Sequence, residues 1–588
     1  MRNYVSTGQA AGSLKIQKYD NFRGVDFTDD NVSESRSPDA LNMWKNYKTL
    51  GKMIETRPST ELQLQLDNTV YGLFFYTYNL VEHWIIHVGT TLIDYNPSTE
   101  ATTTLKASGM NPRKSVGFIF NNILFIKDGI NYLEFNGTTI SNVTGTVPLT
   151  SIGSKPDGGG RTLYQDVNLL SSYRKNSFMG DGESTVYYLD DTAIDSVSEV
   201  RVNGTVIAPT GYTVSTTNGT VTFNTAPSEA VSDDNVVITY SKSVTGNANK
   251  ILKGTLACVF DNRIFVSGNV DYPNALFWSE YNDPRYMADL NYSLEGTDMA
   301  LVKALVPSNN ALWVFKEPSQ SNTTVFYHNP VEIYDNRLQD TVKEYPSVHS
   351  SISTGCIATG VNFNDDIVFF SDRGMEGITG DITTEQVLGH RSTLVDRKLL
   401  SETNYENMLL EEWEGYLLVA VDNKVYLADS RQIVANGTHN EYEWFYWEFA
   451  KKIKYIKENK GILYICTELD TTTNKSYIYT LTDNQTTRTV NSYWTTKRDD
   501  YGYPQMLKTT NKKGFKCDVA GSTITISSKT DNNNFVTLGT YTNTKGYIVA
   551  KLKKKKWNKI QLKFSSNTFF GIYGIALESY IGSYVKRS

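Results

Sequence analysis

The feature that most constrains this chain is a short phrase that recurs along it. At residues 257–267 an apolar stretch runs into Asp261-Asn262, and a second stretch rich in β-branched and aromatic residues leaves the pair. That is how a β-hairpin is written in sequence, because Asn and Asp accept the backbone angles of a tight turn. Further copies lie at 115–128 (turn at Asn121-Asn122), 302–316 (Asn309-Asn310), 357–372 (Asn364-Asp365-Asp366), 408–422 (Glu414-Gly415) and 455–468 (Asn459-Lys460-Gly461), with a looser one at 70–88. Most are followed by one more short strand, such as 132–135, 275–278, 324–327 or 424–427. With one interruption removed, the turns fall roughly 40 to 56 residues apart, the period of a four-stranded propeller blade. A single hairpin is marginal in water, so each unit must bury its faces on a neighbour. The expected fold is therefore all-β, a β-propeller of about six to eight blades. The competing reading is a series of unrelated hairpins from stacked sandwich domains.

Composition agrees with a β-rich chain: among 588 residues there are 41 Gly, 38 Tyr and 25 Phe, and only 20% are charged. The formal net charge of −6 leaves no basic footprint of an ordinary nucleic-acid binder. Cys258, Cys356, Cys466 and Cys517 stand far apart, three of them inside apolar strand patterns, and read as small core residues. The opening Met1–Thr7 leads into polar sequence, so neither an export leader nor a membrane span is expected.

Residues 1–60 read as an N-terminal extended arm, and residues 61–154 with 249–494 as the propeller. The repeat breaks at 156–160 (Pro-Asp-Gly-Gly-Gly), and 155–248 has its own strand logic with turns at Asn203-Gly204 and Asn218-Gly219. It reads as an inserted β-sandwich, serving recognition or acting as a spacer. Residues 495–588 suggest a C-terminal β-sandwich or jelly roll, with strands near 522–526, 535–538, 548–550, 559–564 and 574–580. The aromatic run 444–449 reads as packing between blades, with a glycan-stacking platform as the alternative.

The arm carries a compact signature. It comprises Phe22, Gly24 and Asp26, then Ser37-Pro38-Asp39-Ala40-Leu41-Asn42-Met43, then Gly51 followed by Arg57-Pro58. Placed ahead of β-repeats, and joined to Trp494-Thr495-Thr496-Lys497 and a final strand at 575–580, it resembles the tail nozzle or hub proteins of tailed bacteriophages. That group is often labelled tail tubular or packaged-DNA stabilisation proteins. The chain departs from that pattern at Ser59, where Gly commonly follows Arg-Pro. The resemblance implies a homo-oligomeric ring, hexameric in that family, around a DNA channel. It also implies contacts to adaptor or tail-tube proteins and to fibres or spikes, passage of viral DNA without sequence-specific binding, and residence in the virion tail after synthesis in the bacterial host cytoplasm.

No catalytic constellation emerges. His83, His87, His328, His349, His390 and His439 are scattered, and His83 and His87 share one strand face at a spacing poorly suited to one metal ion. There is no nucleophile elbow, P-loop or zinc-protease motif. Carboxylates are plentiful, and a glycosidase pair assembled by the fold stays open, although Ser371-Asp372-Arg373-Gly374 only partly echoes a sialidase box. Asp531-Asn532-Asn533-Asn534 reads as a turn and not a calcium loop. Lys553-Lys554-Lys555-Lys556 is the concentrated basic run, a candidate inter-subunit contact, DNA-proximal patch or solvated loop. The expectation is a non-enzymatic virion component without cofactor or metal. A receptor- or glycan-binding tail adhesin and a glycan-cleaving propeller enzyme stand as alternatives.

Overall fold

The computed structural model describes residues 13–48, 53–379, 386–436, 439–486, 488–552 and 554–584. Each recurring phrase is an antiparallel hairpin within a four-stranded meander. Asn121, Asn122, Asp261, Asn262, Asn364 and Asp365 all take positive φ, a region that costs Asn and Asp less than other side chains. Where Glu414 and Lys460 occupy that region, a glycine at positive φ follows each, which completes the mirror-image turn a right-twisted hairpin requires. The copy at Asn309-Asn310 is built differently. There Ser308 closes a longer loop onto Ala311 through both its backbone and its hydroxyl.

Six meanders form separate four-stranded sheets, opening in chain order with Val70–Tyr78, Val116–Phe120, Leu256–Phe260, Val302–Pro307, Gly360–Phe363 and Ile453–Asn459. One more, opening at Leu409–Trp413 and ending at His439–Glu448, forms one end of a 13-stranded sheet. Repeated four-stranded meanders make the fold an all-β propeller. The blade that opens at Ile453 is completed out of sequence order, because its fourth strand is Ser59–Leu66, paired to Ser476–Thr482.

The chain divides into two compact units, one of residues 1–70, 370–379 and 388–588, the other of 71–369 and 380–387. In the second, successive blades bury their faces on one another. Leu124 and Ile126 pack with Phe74, Ile85 and Leu92 of the preceding blade, while Phe125 packs with Ile264 and Phe277 of the following one. Strand alternation thus lets one five-residue strand, Ile123–Lys127, serve two neighbours. Each such side chain contributes roughly 1.5–3 kcal/mol when buried.

Within that unit the repeat is interrupted by two facing sheets. Leu149–Ser154, Tyr173–Phe178, Ser196–Val202 and Val236–Ser241 belong to a 6-stranded sheet, and Val186–Tyr188, Tyr212–Ser215 and Thr220–Phe223 form a 3-stranded one. Phe178, Tyr187, Val200, Phe223, Ile238 and Tyr240 form their common core. The larger sheet includes Leu149–Ser154, upstream of residue 155, and the glycine-rich run at 156–160 is a turn inside it, closed by Lys155 N donating to Gly159 O at 2.8 Å. Asn203-Gly204 is a two-residue turn between Val202 and Thr205, whereas Asn218-Gly219 ends a longer loop between Ser215 and Thr220.

In the first unit the N-terminal residues are strands of the large sheet. Ser13–Tyr19 runs antiparallel to the last strand, Phe570–Tyr584, with Ser13 opposite Ile581. Ala40–Leu41 pairs with Ser492–Thr495. Ile54–Thr56 and Met43–Trp44 then connect Phe570–Tyr584 to His439–Glu448. The C-terminal strands are therefore continuous, through N-terminal ones, with a propeller blade. Met506–Thr530 is a single long strand that carries several register shifts against Phe570–Tyr584, among them one between Thr510 and Phe515. The aromatic run is core: Trp444, Phe445, Tyr446, Trp447 and Phe449 are buried, and Trp44 stacks on Trp413 at 5.5 Å and meets Trp447 edge-on at 5.6 Å.

Candidate functional site

The signature residues Phe22, Gly24, Asp26, Asn42, Arg57 and Pro58 all lie in the first unit and fall into two groups. Gly51 lies outside the described residues. In the first group, Gly24 at φ +84° lets the backbone approach the blade so closely that a Cβ would sit 2.1 Å from Trp444 O. Val25 N donates to that same oxygen at 2.7 Å. Phe22 is buried with its ring edge-on to Trp494 at 5.7 Å. Asp26 turns the chain, its Oδ1 accepting from Thr28 N at 3.1 Å and Thr28 Oγ1 at 2.6 Å. Asp39 continues the attachment, its backbone oxygen accepting from Thr495 Oγ1 at 2.6 Å and its Oδ1 from Tyr493 OH at 2.9 Å. The N-terminal signature and the Trp-Thr-Thr-Lys entry, far apart in sequence, are thus one interlocked structure.

The second group centres on Asn42, which sits at φ 56°. Its Oδ1 accepts from Arg57 Nε at 2.9 Å and Glu448 N at 2.8 Å, while its Nδ2 donates to Asn491 O at 2.8 Å. One amide side chain therefore ties together the N-terminal segment, the end of a blade and the entry to the C-terminal strands. Arg57 is 6% exposed, and its other donors reach Pro58 O at 2.8 Å and Glu448 O at 3.0 Å. Its guanidinium lies 4.2 Å above the Phe449 ring. All these acceptors are neutral, and among the described residues no carboxylate pairs with it. Burial first, and the like charge of Arg488 second, lower its pKa to about 9. Arg488, fully buried, is by contrast bonded to Asp483 and lies 3.6 Å from Glu55. Beside Arg57 opens a cleft of about 410 Å³, walled by Leu41, Phe449, Ile465 and Val490 and edged by Thr60 and Lys451.

The basic run lies elsewhere. Lys553 is outside the described residues. Lys554 is half-buried and anchored through its backbone to Thr510 Oγ1, while Lys555 and Lys556 are exposed ahead of the buried Trp557.

The histidines do not converge. His83 Nδ1 lies 2.7 Å from Asp94, whereas His87 is fully buried against Ser115 Oγ at 3.2 Å and Gly89 O at 3.1 Å. His390 bridges Glu376 at 3.1 Å and Asp396 at 2.6 Å, and those two bonds raise its pKa to about 9. Among the described residues no group of three or more ligating side chains could hold a metal ion. Ser371 to Gly374 is a turn closed by Ser371 Oγ on Gly374 O, and Asp531 Oδ1 accepts from the backbone of Asn558 and Lys559. In the second unit a cleft of about 530 Å³ gathers Asp190, Asp191 and Asp289 with Arg174 and Arg337. Asp191 there is bound to Arg174 and Lys242, and Asp190 to Thr150 and Tyr240.

Sequence reasoning finds Asn42 and Arg57 but not their partners. Glu448 and Asn491 enter through backbone groups, which leave no mark in composition.

No protein-family model and no curated protein matches the sequence. Among solved structures, the chain is similar to BamB from Moraxella catarrhalis, at 10% identity and a TM-score of 0.32, covering 73% of this chain and 98% of that one. It is also similar to BBS1N in complex with ARL6DN, at 10% identity and a TM-score of 0.24, covering 73% and 99%. The exo-beta-1,3-galactanase from Phanerochaete chrysosporium matches at 8% identity and a TM-score of 0.21, covering 55% and 94%.

Proposed function

We propose that this chain is a structural, non-enzymatic component of a bacteriophage virion, a subunit of a tail nozzle or hub ring that encloses the DNA channel, retains packaged DNA and attaches fibres or an adaptor. The observation that carries this reading is the interlock of the two signature segments: Phe22 on Trp494, Asp39 on Thr495 and Asn42 on Asn491. The residues behind the family resemblance are used to stitch the start of the chain into the sheet that holds its end. Such stitching suits a wall under mechanical load, because a strand held on both sides cannot be peeled from an edge. The ring would comprise identical copies, six by the family resemblance, and would contact adaptor or tail-tube proteins above and fibres or spikes at its side. A net charge of −6 would let the duplex slide without sticking. No helix among the described residues is long and apolar enough to cross a membrane.

The test is mass photometry and negative-stain microscopy of the purified full-length chain, with immunogold labelling of particles. Closed rings with an axial hole, and label on the tail axis, are expected. A monomer at every concentration, label confined to peripheral fibres, or turnover of a glycan substrate would each refute the reading, the last two in favour of an adhesin and an enzyme respectively.

A further inference from the structure

Arg57 poses an electrostatic problem that its surroundings leave open. A guanidinium removed from water is costly unless an opposite charge offsets it. Other buried cations are met in more than one way: Arg488 has Asp483 and Glu55, Lys508 Nζ donates to the carbonyls of Tyr503, Met506 and Asn558 at 2.6, 3.0 and 2.9 Å, and Lys127 has the carbonyl of Ile251 at 2.7 Å and the Tyr132 ring. Arg57 has one amide oxygen, two carbonyls and a ring face, none of them charged. These bonds engage one N–H on each of its three nitrogens and leave the second N–H on both terminal nitrogens without a described acceptor.

Arg57 also lines the cleft of about 410 Å³. The other charged side chains lining it are already engaged: Lys451 is paired to Asp470, and Glu448 Oε1 accepts from Tyr446 OH at 2.5 Å. Its apolar wall of Leu41, Phe449, Ile465 and Val490 could hold aliphatic side chains. The strand that starts at the cleft, Ser59–Leu66, is the outermost of its sheet, so its free edge leads away from the site as a track for extended backbone. A forked cation without a counter-ion, an apolar wall and an open strand edge together describe a receptor for a short acidic peptide.

We infer that this cleft binds an extended acidic segment of a partner protein, one carboxylate of which forms the ion pair that Arg57 lacks, with flanking aliphatic side chains on Leu41, Phe449 and Val490. The wall argues for peptide over nucleic acid, since a phosphate backbone brings nothing apolar to it. The inference does not depend on the ring reading, because it concerns what the cleft accepts and not how copies assemble.

The test uses the full-length chain and two blocked tripeptides, Leu-Asp-Val and its Leu-Asn-Val analogue, titrated by calorimetry up to about 10 mM, with inorganic phosphate as a third probe. The Asp peptide should bind at least about tenfold more tightly than the Asn peptide. Arg57→Met should abolish the difference; because that variant also removes three hydrogen bonds within the fold, Ala450→Trp at the exposed rim of the cleft is the second arm and should weaken the Asp peptide about tenfold or more while leaving the melting transition in place. Equal binding of the two peptides, binding of neither, phosphate binding as tightly as the Asp peptide, or no effect of Ala450→Trp would each overturn the inference.

Discussion

Single atoms decide several features of this protein. Gly24 is one such point: an added methyl would overlap Trp444 O at a φ of +84°, so both sterics and backbone strain oppose any side chain there. Gly24→Ala should destabilise the first unit by about 2–3 kcal/mol, read as a lowered denaturant midpoint with an unchanged slope. His390 is a second. Held between Asp396 and Glu376, its pKa rises to about 9 from an ordinary 6.5, so the folded chain holds this proton more tightly than the unfolded one. The resulting stability is fully present below about pH 6.5 and is lost as pH climbs through about 9. Compared with His390→Gln, the native chain should be more stable by roughly 2–3 kcal/mol at pH 6 and lose that advantage by about pH 10, which denaturation curves across this range would show directly.

At the scale of strands and sheets, the sequence revealed what is local and concealed what is distant. The hairpins were legible because Asn121-Asn122 and Asp261-Asn262 are among the few residue pairs that tolerate positive φ in succession. The central strands were legible as unbroken apolar runs, because strands such as Tyr416–Val421 are buried throughout. The pairing of Ser13–Tyr19 with Phe570–Tyr584 was not legible, since antiparallel partners far apart in sequence share no pattern beyond ordinary alternation. In the same way Arg57 was visible as part of a signature, while its lack of a counter-ion became visible only once Glu448 was seen to offer its carbonyl. The out-of-order strand Ser59–Leu66 yields the prediction proper to this scale. Removing residues 1–66 should leave Ser476–Thr482 as an unprotected edge, and its amides should exchange with solvent at least about a hundredfold faster than in the full chain, measurable by hydrogen–deuterium exchange with mass spectrometry.

Across the whole molecule, the division into two compact units has a measurable counterpart in the cysteines. Cys258 and Cys356 belong to one unit, Cys466 and Cys517 to the other, and all four are free thiols. Cys356, Cys466 and Cys517 are buried and Cys258 is half-buried; burial of the sulfur pushes the Cys258 thiol up to about 12 and raises Cys466 and Cys517 further, so all four should react only slowly with a thiol reagent while their unit is folded. In rising denaturant, labelling should occur in two steps of two cysteines each, with a calorimetric enthalpy larger than the van't Hoff value. A single concerted step would mean that the two units unfold as one. The stitched sheet also carries a consequence for synthesis. Gln63 bonds to Thr480, 417 residues later in the chain, and at about 5–20 residues per second a ribosome needs about 20 to 80 s to cover that distance. For that interval the emerging polypeptide carries a strand whose mate does not yet exist, so the blade that opens at Ile453 closes only when most of the chain has been made.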